Sequence, residues 1–99
     1  MGKRKDALNE IKKKVVPILK RNNIKRAGIF GSYARGEQTK DSDVDILIEV
    51  RDNRMSLFGF VRVKIELEEK LGRGVDLVEY SVVKDRIKRS VLDSEVRII

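Results

Sequence analysis

The sequence predicts an α/β (α+β) domain in which helices pack as a layer on a small sheet of three or four strands. Three observations predict it. Apolar runs of strand length lie at Ile24–Phe30, Val44–Val50 and Val75–Tyr80, each bounded by polar or glycine-containing turns. Between them lie segments whose apolar residues recur three and four positions apart, the period of one helix face. The chain has 99 residues, the length of one domain near the lower end for a single core. Residues 1–99 therefore read as one domain, with no repeat, linker or low-complexity segment.

The first helix is expected over Lys3–Arg21, with Leu8, Ile11, Val15, Ile18 and Leu19 on its apolar face. Pro17 removes a backbone donor and predicts a kink or break near Val16. Lys12, Lys13 and Lys14 spread over the remaining faces and read as solvent-exposed. Asn22-Asn23 ends the helix, and Ile24–Phe30 forms the first strand, stopping at Gly31. Ser32–Gly36 is long enough for one or two helical turns, with Ser32 as the expected N-cap. After the polar loop Glu37–Ser42, the near-continuous Val, Ile and Leu of Val44–Val50 predict a strand buried on both faces. Arg51–Arg54 is the next loop. Ser56 caps a helix that runs to Leu71 and is stopped by Gly72 at C′. Val75–Tyr80 is the third strand, Lys84–Leu92 a last helix, and Val96–Ile99 a short added strand.

The chemistry concentrates where the first two strands meet their loops. In a strand, residues two apart point to the same face, roughly 6.5–7 Å apart. Asp43 and Asp45 open the second apolar run with that spacing, so their carboxylates converge and repel unless a cation lies between them. The Gly31-Ser32 turn offers backbone N–H groups and a hydroxyl to an anion close by. A cation site beside an anion site points to metal-dependent chemistry on a phosphate.

Composition narrows this further. With no cysteine and no histidine, the usual zinc and iron sites, thiol nucleophiles and imidazole bases are excluded. A bound metal must use oxygen ligands, which favours Mg²⁺ or Mn²⁺. The missing cysteines agree with a cytoplasmic protein. No apolar run approaches the ~18 residues of a membrane span, and no signal peptide is evident. Lys and Arg number 23 against 16 Asp and Glu, a formal net charge of +7. That balance fits an anionic partner, or a heat-adapted surface rich in charge. Five aromatics in all give little for base stacking, which argues against nucleic acid as the direct substrate.

At these residues the chain resembles the nucleotidyltransferase superfamily that includes DNA polymerase β, and most closely its minimal nucleotidyltransferase (MNT) branch. The signature is Gly-Ser, ten residues, then Asp-x-Asp, and Tyr33–Ser42 are the ten between Ser32 and Asp43. A third carboxylate inside a later apolar stretch is matched by Asp76 in Gly74-Val75-Asp76-Leu77-Val78. The similarity runs over roughly Ile11–Leu92. It implies the polymerase-β-like fold, with a mixed sheet and the aspartate strands adjacent. It also implies that Asp43, Asp45 and Asp76 hold two Mg²⁺ ions, Mn²⁺ being an alternative, and that Asp76 accepts the hydroxyl proton. Gly31 and Ser32 would bind the β- and γ-phosphates of ATP, and Arg35, one helical turn past Ser32, is placed either to reach a phosphate or to form a surface ion pair. Asp45 and Asp76 lie inside apolar runs, where an unpaired charge costs several kcal/mol.

Members of that branch are paired with a HEPN-domain toxin and transfer AMP from ATP to one of its tyrosines. The resemblance therefore implies an Mg-dependent protein adenylyltransferase acting as an antitoxin. A non-catalytic nucleotide- or partner-binding module that neutralises a toxin by contact alone is the alternative. The helix Ser56–Leu71 bears on partners as well. Phe60, Val63, Leu67 and Leu71 cluster on one side, and Leu57, Phe58, Val61 and Ile65 on the adjoining side. That apolar arc is about twice what packing on one sheet requires. Part of helix 56–71, including Phe58 or Phe60, is therefore expected in an interface, with the HEPN partner or in a homo-oligomer.

Overall fold

The computed structural model describes residues 2–51, 55–83 and 93–99, with side chains from residue 6 onward. Helix α1 (Gly2–Arg21) opens the chain. Ile11, Val15, Ile18 and Leu19 are buried beneath it, while Lys12, Lys13 and Lys14 are exposed. Of the kink or break expected near Val16, the break does not occur, and the helix continues to Arg21. Pro17 lies on the exposed side, where the carbonyl deprived of its donor can be hydrated. Asn22 donates its side-chain amide to the Ile18 carbonyl at 2.8 Å, and Asn23 turns the chain at a φ of 65°.

Strand β1 (Ile24–Phe30) passes directly into the short helix α2 (Gly31–Arg35). Then follow β2 (Val44–Val50), α3 (Leu57–Leu71), β3 (Val75–Glu79) and β4 (Val96–Arg97). The third strand ends one residue before the expected Tyr80, which instead opens a 3₁₀ turn to Val82. The helix expected at Lys84–Leu92 lies outside the described residues, as do residues 52–54 of the expected loop.

The sheet order is β3-β2-β1-β4. Strand β1 runs antiparallel to β2 and β4, whereas β2 and β3 are parallel. Parallel neighbours need a crossover, and α3 supplies it. The sheet is thus mixed, with the two aspartate strands side by side. On one face Ala27, Ile29, Val44, Ile46, Ile48, Val75 and Leu77 pack with α1 and with Val63 and Leu67 of α3. On the other face β2 presents Asp45, Leu47 and Glu49. Leu47 is fully buried there, so the middle of β2 is covered on both sides as its composition predicts.

Helix α3 begins and ends as the sequence indicates. The Ser56 hydroxyl accepts the Gly59 N–H at 3.0 Å, and Gly72 takes a left-handed φ of 69° while donating to the Glu68 carbonyl at 2.8 Å. Phe60 and Leu71 pack against the core beside buried Val63 and Leu67. The adjoining side is bare: Leu57 is 78% exposed, Phe58 86%, Val61 43% and Ile65 47%. Of the two rings expected in an interface, Phe58 is free for one and Phe60 belongs to the fold.

Candidate active site

Strand register brings the three aspartates to one end of the sheet. Val44 pairs with Val75 and Asp45 with Asp76 across the parallel strands. Just before them, the Val44 N–H donates to the Gly74 carbonyl at 2.9 Å, which fixes where Asp43 leaves the loop. Asp45 also pairs with Phe30 across β1, and Gly31-Ser32 follows Phe30 directly. The turn and the carboxylates, separated by a ten-residue spacer in sequence, are therefore neighbours.

Two glycines make room for two carboxylates. A Cβ on Gly31 would stand 2.0 Å from Asp45 Oδ2, and one on Gly74 would stand 2.5 Å from Asp43 Oδ1. Gly31 also has a φ of 71°, which an L side chain rarely adopts. The family resemblance implies that a phosphate binds beside this glycine. In this structure the Asp45 carboxylate itself occupies that space.

Burial pushes the Asp45 carboxyl above its ordinary pKa, and the charges of Asp76 and Asp43 push it the same way, against a smaller opposing effect of Arg35. Asp43 and Asp76 thus both act on Asp45 electrostatically. Asp45 is half-buried, but Asp43 and Asp76 are exposed. The expectation that Asp76 is enclosed by its apolar run is corrected, because β3 stands at the end of the strand order and β2 inside it.

Helix α2 starts at Gly31, with Phe30 in the cap position and no side-chain cap. Ser32 therefore lies in the first turn and is not the N-cap as expected. Amides of a first helical turn have no intrahelical acceptor and are free to meet an anion. Arg35 donates Nε to Glu37 Oε1 at 2.7 Å on the exposed side of the turn. Tyr33 packs inside, 6% exposed, and its hydroxyl accepts a bond from Arg73 Nη1. The same nitrogen donates to the Ser42 carbonyl at 3.3 Å.

A second polar cluster shares the aspartate face. The Glu95 side chain, 7% exposed, accepts the Tyr80 hydroxyl proton and lies 3.7 Å from Arg26 Nη2. The Arg26 guanidinium sits 4.3 Å above the Tyr80 ring. Gly28, paired with Leu47 and Arg97, admits that carboxylate: a Cβ there would stand 1.9 Å from Glu95 Oε2. Burial raises the Glu95 pKa, against Arg26 and Arg97. Sequence reading singled out neither Glu95 nor Arg73. Only the glycines, Gly28 in a strand and Gly74 before one, carried a signal of close approach.

The donor set at the strand end is all carboxylate oxygen, the chemistry of a hard divalent cation. Among the described residues no three acidic side chains stand close enough together, as they lie, to hold an ion. Placement and charge nevertheless fit one: adjacent register, a shared face, and carboxylates whose mutual repulsion a cation relieves. Also among the described residues, no helix is long and apolar enough to cross a membrane.

Comparison with known proteins agrees with this geometry. A protein of Methanocaldococcus jannaschii provisionally named a protein adenylyltransferase is 47% identical over 92 residues, covering 93% of this chain and 98% of its own. The protein adenylyltransferase MntA of Thermococcus cleftensis is 43% identical over 75 residues, covering 76% and 75%. A solved structure provisionally described as a minimal nucleotidyltransferase superposes with a TM-score of 0.79 at 33% identity, covering 92% of both chains. The complex of tri-AMPylated Shewanella oneidensis HEPN toxin with MNT antitoxin contains a chain of the same fold, with a TM-score of 0.72 at 19% identity over 92% of this chain and 71% of that one. The family model described as polymerase beta, nucleotidyltransferase matches residues 13–99. With its Gly-Ser turn, paired aspartate strands and this match over most of its length, the chain belongs to the polymerase β nucleotidyltransferase family.

Proposed function

We propose that this protein transfers AMP from ATP to a tyrosine hydroxyl of a HEPN-domain toxin and so acts as its antitoxin. The observation that carries the reading is the Asp45–Asp76 pair across parallel strands, set beside the Gly31-Ser32 turn. The names of the relatives and the AMPylated toxin of the Shewanella complex support the group transferred and the partner.

In the reaction the acceptor oxygen bonds to the α-phosphorus and the bond to the bridging oxygen of pyrophosphate breaks. The hydroxyl proton passes to Asp76, whose exposure leaves it open to an incoming side chain. Asp43, Asp45 and Asp76 are the residues that would hold Mg²⁺, two ions in all, with Mn²⁺ able to replace it. When bound, such ions neutralise phosphate charge and stabilise the attacking and leaving oxygens. The first-turn amides of α2 at Gly31 and Ser32 bind the β- and γ-phosphates. Arg35 exchanges its exposed Glu37 partner for a phosphate oxygen, a charge-assisted bond of similar geometry. The reaction places the protein in the cytoplasm, where ATP is available.

The contact-only reading needs an interface, and the bare apolar side of α3 at Leu57, Phe58, Val61 and Ile65 offers one. It suits an interface whether or not transfer occurs, and a homo-oligomer through the same helix would also cover it. Intact-mass spectrometry of a co-expressed HEPN partner separates the readings. Transfer adds about 329 Da per AMP, the mass expected of nucleotidyl transfer, and Asp43→Asn abolishes the addition. Neutralisation by the Asp43→Asn protein without added mass would sink the catalytic reading and leave the binding module.

A further inference from the structure

We infer that Arg73 is a positioning residue that locks the phosphate-binding turn to the metal-binding aspartates. The inference rests on the nucleotidyl-transfer reading above, and it concerns a residue outside the Gly-Ser and Asp-x-Asp motifs. One guanidinium nitrogen, Nη1, donates both to the Tyr33 hydroxyl and to the Ser42 carbonyl, the latter at 3.3 Å. Tyr33 is next to Ser32 in α2, and Ser42 is the residue before Asp43. The guanidinium lies at the hydroxyl end of the Tyr33 ring, 5.7 Å from its centre.

Arg73 is itself held in place. Gly72 ends α3 in the left-handed conformation, and the Gly74 carbonyl accepts the Val44 N–H. The Glu68 carboxylate accepts the Val75 N–H at 3.0 Å and Lys64 Nζ at 3.0 Å. That backbone bond, with the lysine, lowers the Glu68 pKa. The turn between α3 and β3 is thereby fixed at both ends, three residues before Asp76. A side chain rooted there reaches the other two motif segments at once.

Among the described residues Arg73 has no carboxylate partner. Its donors go instead to a phenol and a carbonyl, neutral acceptors that fix position without cancelling charge. Arginine suits this because its planar fork presents several donors in fixed directions, which a lysine ammonium does not. In-line transfer depends on the distance between the phosphates, held by Gly31-Ser32, and the aspartates. A misplacement of about 1 Å can cost on the order of 10²-fold in rate. Loosening the clamp should therefore lower turnover more than nucleotide affinity.

The test compares wild type with Arg73→Met, Arg73→Lys and Tyr33→Phe. In amide NMR spectra of the ligand-free proteins, Arg73→Met shifts Gly31, Ser32, Asp43 and Asp45 together. Tyr33→Phe, which removes one bond and keeps the ring, shifts the same set more weakly. In transfer from ATP to a co-expressed partner, measured per folded molecule, Arg73→Met lowers kcat about tenfold or more. Its KM for ATP stays within about threefold of wild type. Arg73→Lys recovers part of the loss. Shifts confined to residues 72–74, or a wild-type kcat with only a lowered Tm, overturn the inference. If Arg73→Met does not fold, Tyr33→Phe decides by the same shifts. A wild type that transfers nothing defeats the underlying reaction, while the NMR comparison still decides whether the clamp exists.

Discussion

The Asp45 carboxylate rests on Gly31, with Oδ2 2.0 Å from where a Cβ on that glycine would lie. The glycine of the proposed phosphate turn is thus also the seat of a proposed metal ligand, so one substitution would disturb both proposed functions.

Gly31→Ala is accordingly expected to cost about 2 kcal/mol or more, from left-handed strain and a displaced carboxylate together. Transfer should fall by about 10²-fold or more as Asp45 moves. Gly72→Ala is the control. Its φ of 69° is similar but a Cβ there meets nothing within 4 Å, so only the backbone strain of about 1 kcal/mol applies. Urea unfolding and transfer assays on both variants check this. Equal stability losses, or an active Gly31→Ala, would refute the seating argument.

Asp45 gives a pH prediction with a definite sign. Its folded-state pKa is raised, first by burial and then by Asp76 and Asp43. Below its ordinary value the group is protonated in both states and carries no penalty. As pH rises through the raised folded value, ionisation sets it against its surroundings and stability is lost. Asp45→Asn lacks this loss, so without divalent ions it should melt higher than wild type at pH 7. The gap should close as pH falls through the acidic range. Transfer should drop by on the order of 10³-fold, and Mg²⁺-ATP should no longer raise the Tm. A variant that melts lower at pH 7 would show that repulsion at this site does not limit stability.

The aspartates were legible in the sequence because a strand's period of two and the apolar runs around Asp43, Asp45 and Asp76 are local signals. That the aspartate strands are adjacent came only from family resemblance, since no local pattern encodes strand order, and the parallel register that sets Asp45 against Asp76 is visible only in the structure. Burial of Asp76 was misjudged for the same reason: an apolar run looks alike in a central strand and in the outermost one. Ser32 looked like a cap because serine favours that position, yet the helix starts at Gly31, whose φ of 71° already turns the chain. Arg73 was invisible, its bond to Tyr33 joining residues 40 positions apart.

Gly28 offers a test of the second polar cluster. An added Cβ would stand 1.9 Å from Glu95 Oε2 and 2.6 Å from Cδ. Gly28→Ala must therefore push the Glu95 side chain aside and break its bond to the Tyr80 hydroxyl. A loss of about 1–3 kcal/mol is expected. Gly28→Ala combined with Glu95→Ala should recover most of the clash, because the obstructing atoms are gone. Denaturation curves of the two single variants and the double variant measure the coupling. Additive losses would mean that the cluster does not depend on the close approach at Gly28.

Helix α3 divides its aromatic residues between two tasks, and charged substitutions should reveal the division. Phe58 is 86% exposed, so Phe58→Asp removes nothing from the core and should change stability by less than about 0.5 kcal/mol. Phe60 packs against the core, so Phe60→Asp places a charge among apolar side chains and should cost roughly 2–3 kcal/mol. The exposed stripe of Leu57, Phe58, Val61 and Ile65 follows one side of the helix over about its first two and a half turns. A partner covering it would make Phe58 an anchor, since a large ring in a desolvated contact dominates binding energy. Phe58→Asp should then yield a folded protein that no longer co-purifies with the proposed HEPN partner, or that sediments as a smaller species if the contact is with a second copy. Unchanged co-purification and sedimentation, in a variant as stable as wild type, would exclude this stripe as an interface. A fall in stability equal to that of Phe60→Asp would instead place Phe58 in the core and contradict its exposure.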